Sequence, residues 1–253
     1  MAKIPVALQL FTVRDDCDAD FKGTLKQVAQ MGYQGVEFAG NTGGMSADEL
    51  KKFIDDLGIK AFASHTPIEQ IAQDVQPAID FALEVGSRWI VCPYLGDEWR
   101  KTAEGYKKVA EVLEKAGARC ADYGLGMCYH NHSFEFTQFD GKYGFDILYE
   151  NSNPNLVKAE LDTYWVKHGG EEPQEYIRKY SGRVPLVHLK DMAGDEEKSF
   201  AEIGEGILDF EAIFAAAEEA GTECYIVEQD VCKGPALESA KLSIQNLKKM
   251  GVL

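Results

Sequence analysis

The sequence predicts a single (β/α)8 barrel over residues 1–253. Three observations predict it. Eight short apolar runs are each followed by a stretch with helical spacing of apolar residues. No Pro/Gly/Ser linker, low-complexity block or charge discontinuity separates the units. The length matches the about 250 residues typical of such a barrel.

The units follow one another in order. Pro5 to Leu10 is the first strand, and its helix near Asp20 to Met31 carries Phe21, Leu25, Val28 and Ala29 at helical spacing before Gly32 closes it. Gly35 to Phe38 is the second strand. Ser46-Ala47-Asp48-Glu49 is a capping box that starts a helix with Leu50, Phe53, Ile54 and Leu57 on one face. Ile59 to Ala63 is the third strand, with His65 at its tip, and a helix from Ile68 to Val85 stops at Gly86. Trp89 to Cys92 is strand four, ended by Pro93, and a long helix covers Thr102 to Tyr123. Leu125 to Tyr129 is strand five, and a short amphipathic segment spans Asp146 to Glu150. Val157 to Leu161 is strand six, followed by a helix at Pro173 to Tyr180. Val184 to Leu189 is strand seven. A helix from Asp209 to Ala220, with Asp209 as N-cap and Gly221 at its end, leads to strand eight, Cys224 to Val227. Pro235 to Met250 closes the chain. A doubly wound open sheet is the less fitting alternative, because the first strand–helix turn, Phe11 to Arg14, has no glycine fingerprint.

Composition narrows the function. The net charge of −16 repels phosphodiester backbones and argues against nucleic acid as a partner. No apolar run approaches 18 residues, so no membrane association is expected. The six cysteines form no C-x-x-C pair and read as free thiols in a reducing cytoplasm rather than as disulfides or a zinc site. A homo-oligomer is compatible with the sequence, which does not specify one.

In a (β/α)8 barrel the chemistry sits at the C-terminal ends of the strands. Those positions carry Gln9, Glu37, His65, His130 with His132, Asp162, His188 with Lys190, and Glu228, a set that includes four of the five histidines. Asp162, His188 and Glu228 from three strands make a mixed oxygen and nitrogen donor set for one divalent ion: Mn, Mg, Co or Zn. Glu160 and Lys190 suit either chemistry or a purely structural ion pair with each other. Glu37 and His65 are candidates to bind substrate hydroxyls, and Trp165 beside Asp162 is a candidate sugar-stacking ring. His168 lies in a solvated loop.

Taken together, Gln9 to Arg14, Tyr129-His130-Asn131-His132, Leu161 to Trp165, His188-Leu189-Lys190-Asp191 and Gly204-Glu205-Gly206 resemble the sugar phosphate isomerase/epimerase group of xylose-isomerase-like TIM barrels over nearly the whole chain. The resemblance implies a divalent metal held by Glu, Asp, His and Glu from strands five to eight, with the two glutamates moving the proton. Carried over, the Asp is Asp162, the His is His188 and the last Glu is Glu228. The strand-five Glu is replaced at or near His130, so the fourth ligand is open between His130, His132 and Glu135. Glu135 is also a candidate for contact with substrate.

The function expected first is therefore a metal-dependent isomerase or epimerase of a small carbohydrate, working through a metal-stabilised ene-diolate. Glu228, His130 and His132 are the candidate proton carriers. The alternative is a lyase, a dehydratase acting on a 3-keto-sugar or inosose by β-elimination. An imidazole in place of one carboxylate supplies a group able to protonate a leaving oxygen near neutral pH. A non-catalytic carbohydrate-binding barrel is the further alternative.

Overall fold

A computed structural model of the protein describes residues 3–253. Eight parallel strands close into a barrel: β1 Val6–Gln9, β2 Gly35–Phe38, β3 Lys60–His65, β4 Trp89–Cys92, β5 Gly126–His130, β6 Val157–Asp162, β7 Leu186–Leu189 and β8 Cys224–Val227, each hydrogen-bonded to the next and β8 back to β1. Helices ring this sheet, as the alternating pattern predicts. Among the described residues no helix is long and apolar enough to cross a membrane.

The period of two along each strand divides the side chains between two cores. Outward residues such as Leu8, Val36, Ile90, Leu161 and Val187 pack under the helices in one large cluster. Inward residues form a separate, smaller cluster inside the barrel: Ala7, Ala63, Trp89, Val91, Cys128, Leu186, Cys224 and Ile226. Small side chains dominate this plug, and Trp89 fills its lower end. The fit depends on Gly126, where a Cβ would come within 2.1 Å of the Trp89 ring. Above the plug the next inward positions are polar. Register brings them level: Gln9 lies beside Glu37, His130 beside Glu160, and Asp162 beside His188.

Local signals hold where the chemistry is explicit. Ser46 and Glu49 form the reciprocal capping box of the helix Ala47–Asp56. Asp209 caps Phe210–Ala220 through the Ala212 amide, and Gly221 ends it with φ +78°. Some elements differ from expectation. The first helix, Arg14–Met31, starts earlier than Asp20, but it breaks there: Asp20 is extended (φ −153°, ψ 83°) and its carboxylate caps the Gly23 amide. The expected helix from Ile68 to Val85 is two, Ile68–Gln73 and Gln76–Val85, because Asp74 is extended and Pro77 is tolerated only in a first helical turn. Short helices at Asp97–Arg100 and Thr163–His168 were not expected. The second takes His168 out of a solvated loop and sets it against Tyr164 and Trp165.

Candidate metal centre and cavity

The strands deliver their last inward side chains to one place. A cavity of about 620 Å³ opens at the C-terminal mouth of the barrel, lined among others by His65, His130, His132, Lys190, Glu228 and Asp230. Asp162 and His188 lie directly beneath it and are fully buried.

His130 and His188 organise the layer, and each uses its two ring nitrogens in opposite directions. His130 Nδ1 faces Glu160 Oε2 at 3.1 Å, while its Nε2 faces Asp162 Oδ2 at 3.6 Å. His188 Nε2 faces Glu37 at 2.7 Å, while its Nδ1 faces Glu228 at 2.9 Å. In each case a lower carboxylate backs the imidazole and the other nitrogen is aimed at an upper carboxylate. Metal-binding histidines are held in this way by outer carboxylates. The donor atoms of His130, Asp162, His188 and Glu228 all lie within 4.8 Å of one another.

The charge balance also suits a cation. Glu37, Glu160, Asp162, Glu228 and Asp230 share the layer: the fully buried Lys190 pairs with the last three, and Glu37 and Glu160 face His65 and His188. The Lys190 ammonium lies 3.1 Å from Asp162, 2.6 Å from Glu228 and 2.6 Å from Asp230. One oxygen each of Glu37 and Glu160 is buried without a hydrogen-bond partner, and Asp162 Oδ2 has only the Lys190 ammonium beside it. Buried carboxylate oxygens in that state are costly, and a divalent ion would satisfy them. The residues fit a metal on chemistry and on geometry.

Electrostatics follow from burial and neighbours. Burial opposes ionisation of Glu228, yet Lys190 and His188 outweigh it and hold the carboxyl well below its usual range. Glu37 is held low in the same way by His65 and His188. Burial also dominates Asp162, which Lys190 only partly offsets, so its pKa rises to about 6. His65 goes up to about 10, since Glu37 and Glu160 overcome the burial. His132 goes down to about 3, through burial first and then the Lys190 charge. His130 is pushed well below its ordinary value by burial and by His188.

The sequence-predicted residues divide clearly. His65, His130, His132, Lys190 and Glu228 reach the cavity, and Asp162 and His188 lie at its floor. Glu37 does not line the cavity: it is fully buried, with Gln9 at 2.8 Å and His188 against the same oxygen. Glu135 is neither a strand-five ligand nor at the substrate surface. A 3-10 turn at Phe134–Phe136 swings it away, and its carboxylate accepts the Tyr129 hydroxyl and the His132 amide. Trp165 packs behind His132, with ring centroids 5.3 Å apart, rather than lining the cavity. No Glu160–Lys190 pair forms; Glu160 serves three histidines instead.

Other residues complete the site. Asp230 anchors Lys190, and Asn131 Oδ1 accepts the Asp162 amide at 3.0 Å. Asp230 was findable, since it stands two residues beyond Glu228 as Lys190 does beyond His188. Tyr94, at the cavity rim, carries no sequence signal. Asp191 explains the Gly204-Glu205-Gly206 stretch: its buried carboxylate accepts the amides of Met192, Gly204, Gly206 and Leu208.

Comparison with known proteins places these features in context. Residues 25–250 match the family described as xylose isomerase-like TIM barrel. The chain is 26% identical to the inosose dehydratase of Clostridium beijerinckii, covering 90% of this chain and 89% of that protein. It is 27% identical to the inosose dehydratase of Clostridium perfringens, covering 87% and 86%. A solved structure of a sugar phosphate isomerase/epimerase from Parabacteroides distasonis superposes with a TM-score of 0.86 at 25% identity, covering 100% of this chain and 96% of that one.

Proposed function

The chain belongs to the xylose isomerase-like TIM barrels, and we propose that it is a divalent-metal-dependent lyase that removes water from a keto-inositol or related keto-sugar by β-elimination. This favours the lyase alternative over the isomerase or epimerase expected first. The observation that carries it is His132. This imidazole lines the cavity two residues beyond His130, where the resemblance calls for a carboxylate, and burial and the Lys190 charge keep it neutral. The inosose dehydratase relatives support the same class of substrate.

His130, Asp162, His188 and Glu228 are the residues that would hold the ion. When bound there, it supplies Lewis-acid polarisation of the substrate carbonyl. Lys190 places an ammonium where negative charge builds on that oxygen, which lowers the barrel's share of the barrier. His132 takes the proton from the carbon next to the carbonyl. An imidazole whose conjugate acid is strong when formed then gives that proton to the β-hydroxyl. The C–H and C–O bonds break, a C=C bond forms, and water leaves. A single imidazole therefore serves as base and acid on one face of the ring. An epimerase needs proton carriers on both faces. The six free thiols, five of them buried, suit a reducing cytoplasm.

The test is turnover of a keto-inositol in deuterated water. A lyase yields a product lighter by one water with enone absorbance. Solvent deuterium at carbon with mass otherwise conserved would instead establish the isomerase or epimerase reading, which the Parabacteroides structure keeps in view.

A further inference from the structure

Beneath the proposed catalytic ion the layer holds a second set of donors. His65 Nε2, His130 Nδ1 and His188 Nε2 each lie 3.1 Å from one atom, Glu160 Oε2. All four donor atoms fall within 4.8 Å of one another. A tetrahedral zinc ion with bonds of about 2.0–2.2 Å spaces its donors about 3.3 Å apart, so three of the edges already have nearly that length.

Hydrogen bonding alone accounts poorly for this arrangement. Three imidazoles face Glu160 Oε2, and two of them, His65 and His188, also face Glu37 Oε2 at 3.3 and 2.7 Å, while Glu160 Oε1 and Glu37 Oε1 are buried with no partner. Crowded nitrogens beside unused, fully buried carboxylate oxygens describe a site shaped around a cation.

We propose that His65, His130, His188 and Glu160 form a deep tetrahedral zinc seat, distinct from the upper seat at Asp162 and Glu228. The two seats share His130 and His188 through opposite nitrogens. A neutral imidazole has one lone pair to give, so one ion occupies one seat at a time. With zinc in the deep seat, His130 Nε2–H and His188 Nδ1–H turn toward Asp162 and Glu228 as donors. The upper seat is then left with oxygen ligands only. Its loss of nitrogen donors makes deep zinc an antagonist of an ion above. The deep seat stands whether or not the reaction is a dehydration.

The test is titration of metal-stripped full-length protein with Co²⁺, a spectroscopic stand-in for zinc. The expected result is intense absorption of the tetrahedral type, abolished by one equivalent of Zn²⁺. Glu160→Gln and His65→Gln are expected to lose these bands, each independently, and to weaken Zn²⁺ binding by more than the about 10–100-fold seen on losing an outer partner. Asp162→Asn and Glu228→Gln are expected to keep them. Six-coordinate spectra in the parent protein would overturn the proposal. So would tetrahedral bands that survive in both Glu160→Gln and His65→Gln, or that vanish with Asp162→Asn or Glu228→Gln.

Discussion

Lys190 Nζ lies 2.6 Å from Glu228 Oε2, and the same buried ammonium also holds Asp162 and Asp230. Replacing Lys190 with methionine keeps the volume and leaves three carboxylates without their cation. Breaking a buried pair in this way costs about 3–5 kcal/mol. Urea unfolding of metal-stripped Lys190→Met is therefore expected to show a lower midpoint than the parent. Added Mn²⁺ should raise that midpoint more in the variant than in the parent, because it restores positive charge among the carboxylates. Equal stability of the two stripped proteins would contradict the electrostatic account.

Chelation followed by dialysis is expected to abolish turnover of the keto-inositol, with recovery on adding Mn²⁺. Glu228→Gln should lower kcat/KM by about 100-fold or more and weaken Mn²⁺ activation, since it removes an oxygen ligand of the upper seat. Full activity in protein shown by elemental analysis to hold no metal would refute this.

His132→Ala should lower kcat by about 10²–10⁴-fold, the usual worth of a general acid–base group. Metal content should be unchanged, because His132 is not among the proposed ligands. His130→Ala should lose metal as well as rate. Steady-state kinetics and elemental analysis on both variants separate the roles, and metal loss in His132→Ala would show that they have been assigned wrongly.

Burial raises the pKa of Glu135 to about 8 despite the Tyr129 and His132 donors. The unfolded chain titrates near about 4.3. Between these values the folded state binds the extra proton, so the group's contribution to stability is greatest below about pH 4.3. It falls as pH rises toward 8, by at most about 1.4 kcal/mol per pH unit. Glu135→Gln is expected to flatten that part of the stability profile. Denaturant unfolding of parent and variant from pH 5 to 8 measures it, and parallel profiles would count against a raised pKa.

Gly206→Ala places a Cβ within 2.3 Å of both Asp191 Oδ1 and the Met192 carbonyl oxygen. Overpacking of this kind costs about 1–3 kcal/mol, and it strikes the carboxylate that gathers four amides beside Lys190. A lower thermal midpoint with reduced kcat is expected. An unchanged midpoint would mean that the loop yields without cost.

Much of this was legible because strands are simple. Once the eight apolar runs are placed, period two fixes which residues face inward, and Asp162, His188, Lys190 and Glu228 follow directly. The errors begin where the strands end. Glu135 was read as an option for the fourth ligand because it closely follows His130 and His132, but the chain enters a 3-10 turn there that carries its carboxylate away. Glu37 was placed at the rim, yet its pairing with His188 across the barrel draws it into the floor. Such pairing depends on barrel diameter, which no local pattern encodes. The role of Glu160 was missed for the same reason, since its partners come from three other strands.

The plug of Ala7, Ala63, Cys128, Cys224 and Trp89 makes the barrel a cul-de-sac. Anything that reaches Asp162 and His188 from solvent enters past the mouth beside His65, Lys190 and Glu228. An ion held at Asp162 and His188 would lie beneath anything bound in the cavity, so it would have to arrive first and leave last. Exchange of such an ion would then be tied to the release of whatever occupies the cavity above it.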